Sequence, residues 1–361
     1  MRIVLTGGGT GGHVIPNIAV IDELRERGDH ELLYVGSVRG PERAMIERVG
    51  VRFEGVMCGK LRRYFSLENV KDAFRIPRGV WQARRVLREF GADVVFSVGG
   101  YVSFPVVMAA KMLGLRIILH ELDSTMGLAN KMSSRFASEV LLSSDIGNIV
   151  RSSVLKGSAD AGRKFTGLDK HRPVILVMGG SQGALQVNRL IRENLNEILK
   201  KFQVVHICGR GKLDIGVKKR GYVQYEYLDA QLRDVYAMTE LVVTRGGANS
   251  LAEIAALKKK ALVIPIGSGS RGDQAENARI FAGRMGWSVL SGKFSDEDFL
   301  SAMRMACDGK ISGKFINSLG KIVDVILKKG KLVSMRDFWQ NPILELGNIL
   351  LVYGRSWARW T

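Results

Sequence analysis

Short runs of β-branched and aliphatic residues recur between segments whose apolar residues are spaced near 3.6, and this alternation leaves few folds open. RIVL (2–5), ELLYV (31–35), DVVFSV (93–98), RIILH (116–120) and EVLLS (139–143) mark strands in the first half. PVILVMGG (173–180), QVVHI (203–207), ELVVT (240–244), ALVIP (261–265) and WSVL (287–290) mark them in the second. Strands separated by helix-length segments run parallel, because each crossover returns the chain to the same end, and a parallel sheet needs helices on both faces. The sequence therefore predicts an α/β protein of two Rossmann-like units with parallel sheets, 1–156 and 173–332. A polar, weakly patterned linker over 157–172 joins them, and a tail follows from Val333 to Thr361. In a chain of 361 residues each unit is large enough to bury its own core.

Composition narrows the setting. Hydrophobic residues at 46% and charged residues at 25% are ordinary globular usage and argue against disorder or a fibre. Cys58, Cys208 and Cys307 are far apart and never form CxxC, so neither a disulfide framework nor a zinc site is expected, and a reducing compartment fits. Too few apolar residues precede the glycines of MRIVLTGGG for a secretory signal. The longest uncharged stretch, Val94–Ala110, is 17 residues broken by Gly99-Gly100 and Pro105, short of a membrane span. A net charge of +19 suits either nucleic acid or an anionic membrane surface. With no zinc finger, RNP-like motif or basic zipper, nucleic acid is not an expected partner.

Both halves open with strand, glycine turn and helix: VLTGGGTGGHVIPNIAV and LVMGGSQGALQVNRLI. Gly7, Gly9 and Gly12 satisfy GxGxxG, but the second strand ends Tyr34-Val35-Gly36-Ser37 without the acidic residue that a dinucleotide ribose needs, so no NAD or FAD is expected. A glycine turn opening a helix still gathers free N–H groups at a positive helix end, which suits an anion. Gly179, Gly180, Ser181 and Gly183 make a second such turn. Tight strand-to-helix packing alone accounts for one turn, and less readily for two facing one cleft. His13 follows the first turn and belongs to the residue type best suited to general-base work near neutral pH, although a lone histidine is more often structural. TRGGANSLAE (244–253) repeats the pattern and places Glu253 where a carboxylate could take two ribose hydroxyls, or simply stabilise a helix start. In GDQAENA, Asp273, Gln274 and Asn277 are candidates for reading sugar hydroxyls. Asp296-Glu297-Asp298 imitates a metal-binding DxD, but it follows Ser295 and precedes an apolar-periodic run, so a helix cap is expected there and no metal.

GGTGGH (8–13), SVGGYVSFP (97–105), HELDSTMGLANK (120–131), GNIVR (147–151), GGSQGA (179–184), RGGANSLAE (245–253) and DQAENA (273–278) together resemble the MurG family of peptidoglycan N-acetylglucosaminyltransferases, over residues 1 to about 290. The resemblance implies the GT-B fold and inverting, metal- and cofactor-free transfer of N-acetylglucosamine from UDP-N-acetylglucosamine to lipid I, giving lipid II. It also implies a peripheral position on the cytoplasmic face of the cell membrane. By motif it assigns Arg151, Ser181, Gln182, Ala248, Asn249, Ser250, Leu251, Glu253 and Gln274 to the donor, with Glu253 on the ribose, Gln274 on the sugar hydroxyls and the Leu228 main chain on uracil. Thr10, Gly11, Gly12 and His13 line the cleft, His13 as base, and Gly99, Gly100 and Tyr101 grip the acceptor pyrophosphate. Asn130 and Lys131 neighbour the site ahead of Asp123, since Leu122-Asp123 stands where many members have Gln-Asn. Lys258-Lys259-Lys260 likewise replaces a turn where the family usually has Gly and Pro, and the tail matches nothing in the family. Alternatives are a transferase with another lipid acceptor such as diacylglycerol, a UDP-N-acetylglucosamine 2-epimerase, and a non-catalytic sugar-nucleotide binder. For membrane docking, residues 60–88 carry nine Lys/Arg against Glu68, Asp72 and none other before Glu89, interleaved with Tyr64, Phe65, Phe74, Ile76 and Trp81. A solvated amphipathic helix is the plainer explanation of that segment.

Overall fold

A computed structural model of the chain describes residues 1–59, 67–180, 183–265 and 272–328, with the backbone alone over 67–74. Ser181, Gln182, Tyr64, Phe65 and the tail from Val333 lie outside the described residues, as does the Phe74 side chain.

β1 (Arg2–Thr6), β2 (Glu31–Ser37), β3 (Arg52–Val56), β4 (Val94–Ser97), β5 (Arg116–Glu121) and β6 (Glu139–Leu142) form one sheet in the order β3-β2-β1-β4-β5-β6. β7 (Val174–Met178), β8 (Gln203–Ile207), β9 (Tyr222–Tyr225), β10 (Leu241–Thr244), β11 (Lys260–Val263) and β12 (Ser288–Val289) form a second in the order β12-β11-β10-β7-β8-β9. Every pairing is parallel. Side chains alternate between faces, so Ile3 and Leu5 join one apolar layer and Val4 the other, and helices cover both. In each sheet the order reverses between its first and fourth strands, β1/β4 and β7/β10. At such switch points the loops at the carboxyl ends part and leave a crevice. The four glycine-pair motifs, GGTGGH, SVGGYVSFP, GGSQGA and RGGANSLAE, lie at the carboxyl ends of those strands.

The polar stretch expected as a linker contains a helix, Ala159–Thr166, whose N-cap Ser158 accepts from Ala161 N–H. It docks on the second half, where Asp234 accepts from Ser158 N–H at 2.8 Å and Leu168 enters the core. Val150 and Val154 also pack in that second core, whereas Ile149 packs in the first. The last described helix, Leu319–Leu327, returns to the first half, burying Leu319, Ile322, Val323 and Ile326 beside Ile21 and Leu24. Arg116 closes it by donating to the Val325 carbonyl at 2.7 Å and to those of Ile326 and Lys328. The two crossings are zipped together: Asn317 accepts from Val150 N–H and donates to the Val150 carbonyl, both at 3.2 Å, and Ser318 N–H donates to the Asn148 carbonyl at 3.0 Å.

Candidate functional site

The turn after β1 is held from below. The buried Tyr34 hydroxyl donates to the Gly7 carbonyl at 2.5 Å, and Asn17 Nδ2 donates to Tyr34, to the Thr6 carbonyl and to the His13 carbonyl. Glu42, fully buried, accepts from Ser37 N–H at 2.7 Å and from Gly9 N–H at 3.4 Å. The turn after β4 lies directly against it. A Cβ on Gly9 would sit 2.4 Å from the Tyr101 ring, and one on Gly100 would sit 2.4 Å from the Gly8 carbonyl and 3.0 Å from the His13 ring. Both positions have φ above +80°, so only glycine fits on both steric and backbone grounds. Thr10, Gly11, Gly12, His13, Gly99, Gly100 and Tyr101 are thus brought together at one switch point.

Beneath Gly99 lies the Asn130 amide, which a Cβ there would meet at 2.8 Å. Asn130 donates to Glu121 Oε2 at 2.9 Å, and Glu121 also accepts from Gly127 N–H at 2.9 Å and Asp123 N–H at 3.1 Å. Burial pushes the Glu121 carboxyl up, while these three donors pull it back in part. Glu121 thereby fixes the loop that carries Asp123.

In the second half, Arg245 leaves β10 and reaches the turn after β7, donating to the Gly179 carbonyl at 3.3 Å and to Gln274 Oε1 at 3.2 Å. Burial lowers its pKa, and among the described residues no carboxylate pairs with it. A desolvated cation beside a glycine turn is a ready anion partner. Glu253, 6% exposed on the Ala248–Ala256 helix, is held by Arg151, whose Nη2 and Nε approach Oε1 at 2.8 and 3.2 Å, and by the Tyr236 hydroxyl at 3.4 Å on Oε2. Burial alone would lower the Arg151 guanidinium, but the charge and hydrogen bonds of Glu253 outweigh it and raise it. Burial and Glu253 push the Tyr236 phenol well up. Leu228, Ala248 and Leu251 are buried, with Leu228 and Leu251 in the second core, so their side chains are committed to packing.

The halves touch through their turns. Pro16 has no N–H to give the Gly12 carbonyl, its partner one turn back, and Asn249 Nδ2 takes that carbonyl at 2.7 Å from the opposite half. Ser250 sits beside it, partly exposed. Asn277, a candidate for reading sugar hydroxyls, has its amide engaged by protein groups, Asp123, Ser124 and Gly246. Arg245, Glu121 and Glu42 carried no assignment from sequence. Arg245 and Glu121 stand inside motifs already singled out, whereas Glu42 looks like an ordinary acidic residue at a helix start. Ser295 does cap its helix, in a reciprocal box with Asp298, which leaves the DxD imitation explained by local structure.

The chain matches the glycosyltransferase family 28 N-terminal domain over residues 3–142 and the glycosyltransferase family 28 C-terminal domain over residues 174–297. It is 43% identical over 316 residues to the UDP-N-acetylglucosamine–N-acetylmuramyl-(pentapeptide) pyrophosphoryl-undecaprenol N-acetylglucosamine transferase of Lachnospira eligens, covering 83% of this chain and 89% of that one. The protein of the same name from Oceanobacillus iheyensis is 45% identical over 295 residues, covering 78% and 82%. The solved structure of Acinetobacter baumannii MurG aligns with a TM-score of 0.67 at 21% identity, covering 91% of this chain and 99% of that chain. That likeness is one of fold, the two facing parallel-sheet units of the GT-B architecture.

Proposed function

This chain belongs to glycosyltransferase family 28, and from that premise we propose that it transfers N-acetylglucosamine from UDP-N-acetylglucosamine to lipid I, undecaprenyl-pyrophosphoryl-N-acetylmuramyl-pentapeptide, forming lipid II. The observation that carries this assignment is the unequal chemistry of the two turns that meet at Asn249 and Gly12. The first turn has its Gly9 N–H on the buried Glu42 carboxylate, so that this N–H is not offered to the donor's diphosphate, and the turn suits an acceptor hydroxyl beside His13. The second, after β10, carries Arg245, which no carboxylate pairs with among the described residues, with Gln274 and Glu253 near, a setting for a sugar nucleotide.

The acceptor's muramyl C4 hydroxyl attacks C1 of the α-linked sugar while His13 takes its proton. A β-1,4 bond forms as the bond from C1 to the diphosphate oxygen breaks, and UDP leaves with the electron pair. Arg245, Arg151 and the helix N-terminus at Ala248 stabilise the departing charge. Glu253 accepts from the ribose hydroxyls, Gln274 reads the sugar, and the Leu228 main chain faces uracil. Ser181 and Gln182, outside the described residues, are assigned to the donor by motif. Gly99, Gly100 and Tyr101 hold the acceptor pyrophosphate, with Asn130 and Asp123 fixing their surroundings. Among the described residues no helix is long and apolar enough to cross a membrane, and the lipid acceptor is met by peripheral docking on an anionic surface at the cytoplasmic face.

The test is incubation with labelled UDP-N-acetylglucosamine and a short-chain lipid I analogue. Lipid-linked disaccharide is the expected product. Free sugar and UDP without lipid product, or transfer only to diacylglycerol, overturns the assignment.

A further inference from the structure

The Asn277 amide is filled by four hydrogen bonds that join both halves. Its Nδ2 donates to Asp123 Oδ1 at 3.0 Å and to the Gly246 carbonyl at 3.1 Å; its Oδ1 accepts from Ser124 N–H at 3.0 Å and from Ser124 Oγ at 2.8 Å. That is the whole hydrogen-bonding capacity of a primary amide, realised at a side chain 1% exposed. One turn earlier on the same helix, Asp273 accepts from Thr125 Oγ1 at 2.6 Å.

Each end of this junction is itself anchored in the site. Asp123 and Ser124 follow Glu121, which accepts from Asp123 N–H and holds the Asn130 amide under Gly99. Gly246 lies between Arg245, which donates to Gln274, and Asn249, which takes the Gly12 carbonyl. Packing under Gly99 and the hydrogen bonds that follow it therefore connect the acceptor-side turn to the donor-side turn, and Asn277 is one crossing between halves, beside Thr125–Asp273 and Asn249–Gly12.

We propose that Asn277 is a positioning residue that latches the Asp123–Thr125 loop to the donor helix and sets the register of the two half-sites. The proposal rests on the glycosyl-transfer assignment above. Removing the latch lets the turns shift relative to each other without removing a group from the nucleotide, so the chemical step suffers more than donor binding.

Asn277→Ala should lower kcat by ~10–100-fold, the scale of effect seen when reacting groups lose ~1 Å of alignment, with the donor KM changed less than ~3-fold. In the same protein, amide hydrogen exchange at Ser124 should accelerate at least ~10-fold, since its acceptor is gone. A rise in donor KM with unchanged Ser124 exchange means that Asn277 reads the sugar, and overturns the proposal. Should the alanine variant fail to fold, Asn277→Asp provides the second arm: a carboxylate still accepts from Ser124 but faces Asp123 without a donor. Adding Asp123→Asn restores one donor–acceptor pair in the reverse direction and should recover kcat and Ser124 protection in part. No recovery overturns the latch. If the wild type transfers nothing to lipid, the transfer assignment fails, while the exchange measurements judge the latch independently.

Discussion

Glu253 sits in a buried polar triangle, where two Arg151 N–H groups occupy Oε1 and the Tyr236 hydroxyl gives one hydrogen bond to Oε2, which keeps a lone pair for an incoming ribose hydroxyl. Glu253→Gln keeps the size and one acceptor but removes the charge, so affinity for UDP should fall by ~1.5–3 kcal/mol, about 10–100-fold, by calorimetric titration. UDP binding as tight as wild type would remove Glu253 from the ribose. His13→Ala should cut turnover by ~10²–10⁴-fold with UDP affinity nearly unchanged, because the proposed nucleotide contacts lie mainly in the opposite half. Turnover within about threefold of wild type would exclude His13 as base. Glu121 is then a weak replacement, since three N–H donors already occupy its carboxylate. Why some of these residues were legible in sequence and others not follows from range. His13 and Glu253 announce themselves by their place after a glycine turn. Arg245 acquires meaning only when the Gly179 carbonyl comes alongside from 66 residues away, and Glu42 only when Gly9 folds over it from 33.

At the scale of elements, the expected strands correspond to β1, β2, β4 to β8 and β10 to β12, and the two left unmarked, β3 (RFEGV) and β9 (YVQY), are both sheet edges. An edge strand is covered on fewer sides, so Arg52, Glu54 and Gln224 interrupt the apolar run that identifies its neighbours. The Ala248–Ala256 helix shows the opposite case, a local rule broken where the sequence departs from the resemblance. Its end is a Schellman motif: Lys258 N–H donates to the Ala255 carbonyl at 3.0 Å and Lys259 N–H to the Ile254 carbonyl at 3.1 Å. That motif demands a left-handed residue, and exposed Lys258 supplies it at φ 51°. Left-handed backbone costs a side-chain-bearing residue ~1–2 kcal/mol, and glycine's freedom in the unfolded chain returns ~0.4–1 of that. Lys258→Gly should therefore stabilise the protein by ~0.5–1 kcal/mol, read as a higher urea midpoint at unchanged slope. A midpoint equal to or below wild type would mean that the lysine bears no strain.

If the acceptor is lipid I as proposed, the whole molecule must bring its cleft to a lipid whose isoprenoid chain stays in the bilayer. On the proposed docking, a net charge of +19 would attract the protein to an anionic leaflet, but a diffuse charge gives no orientation. The Leu67–Phe90 helix supplies one: Ala83 and Leu87 face the core with Val80 packed beside them, while Trp81 is 62% exposed among the exposed Arg78, Arg85 and Arg88. Arg84 lies with its guanidinium 5.4 Å from the Trp81 ring centre, so ring and cation can reach the headgroup boundary together. The plainer expectation, that the helix merely packs its apolar side inward, accounts for Ala83 and Leu87 but leaves Trp81 in water. Partial burial of a tryptophan's ~200 Å² at ~25 cal/mol per Å² gives ~1.5–3 kcal/mol, or about 10–100-fold in affinity. Trp81→Glu should therefore weaken sedimentation with anionic phospholipid vesicles by that factor, leaving UDP affinity unchanged because the core face is untouched. Raising salt to about 0.5 M should weaken the wild type as well, by screening the arginines. A variant that binds vesicles as wild type does would show that this helix is not the face the protein turns to the membrane.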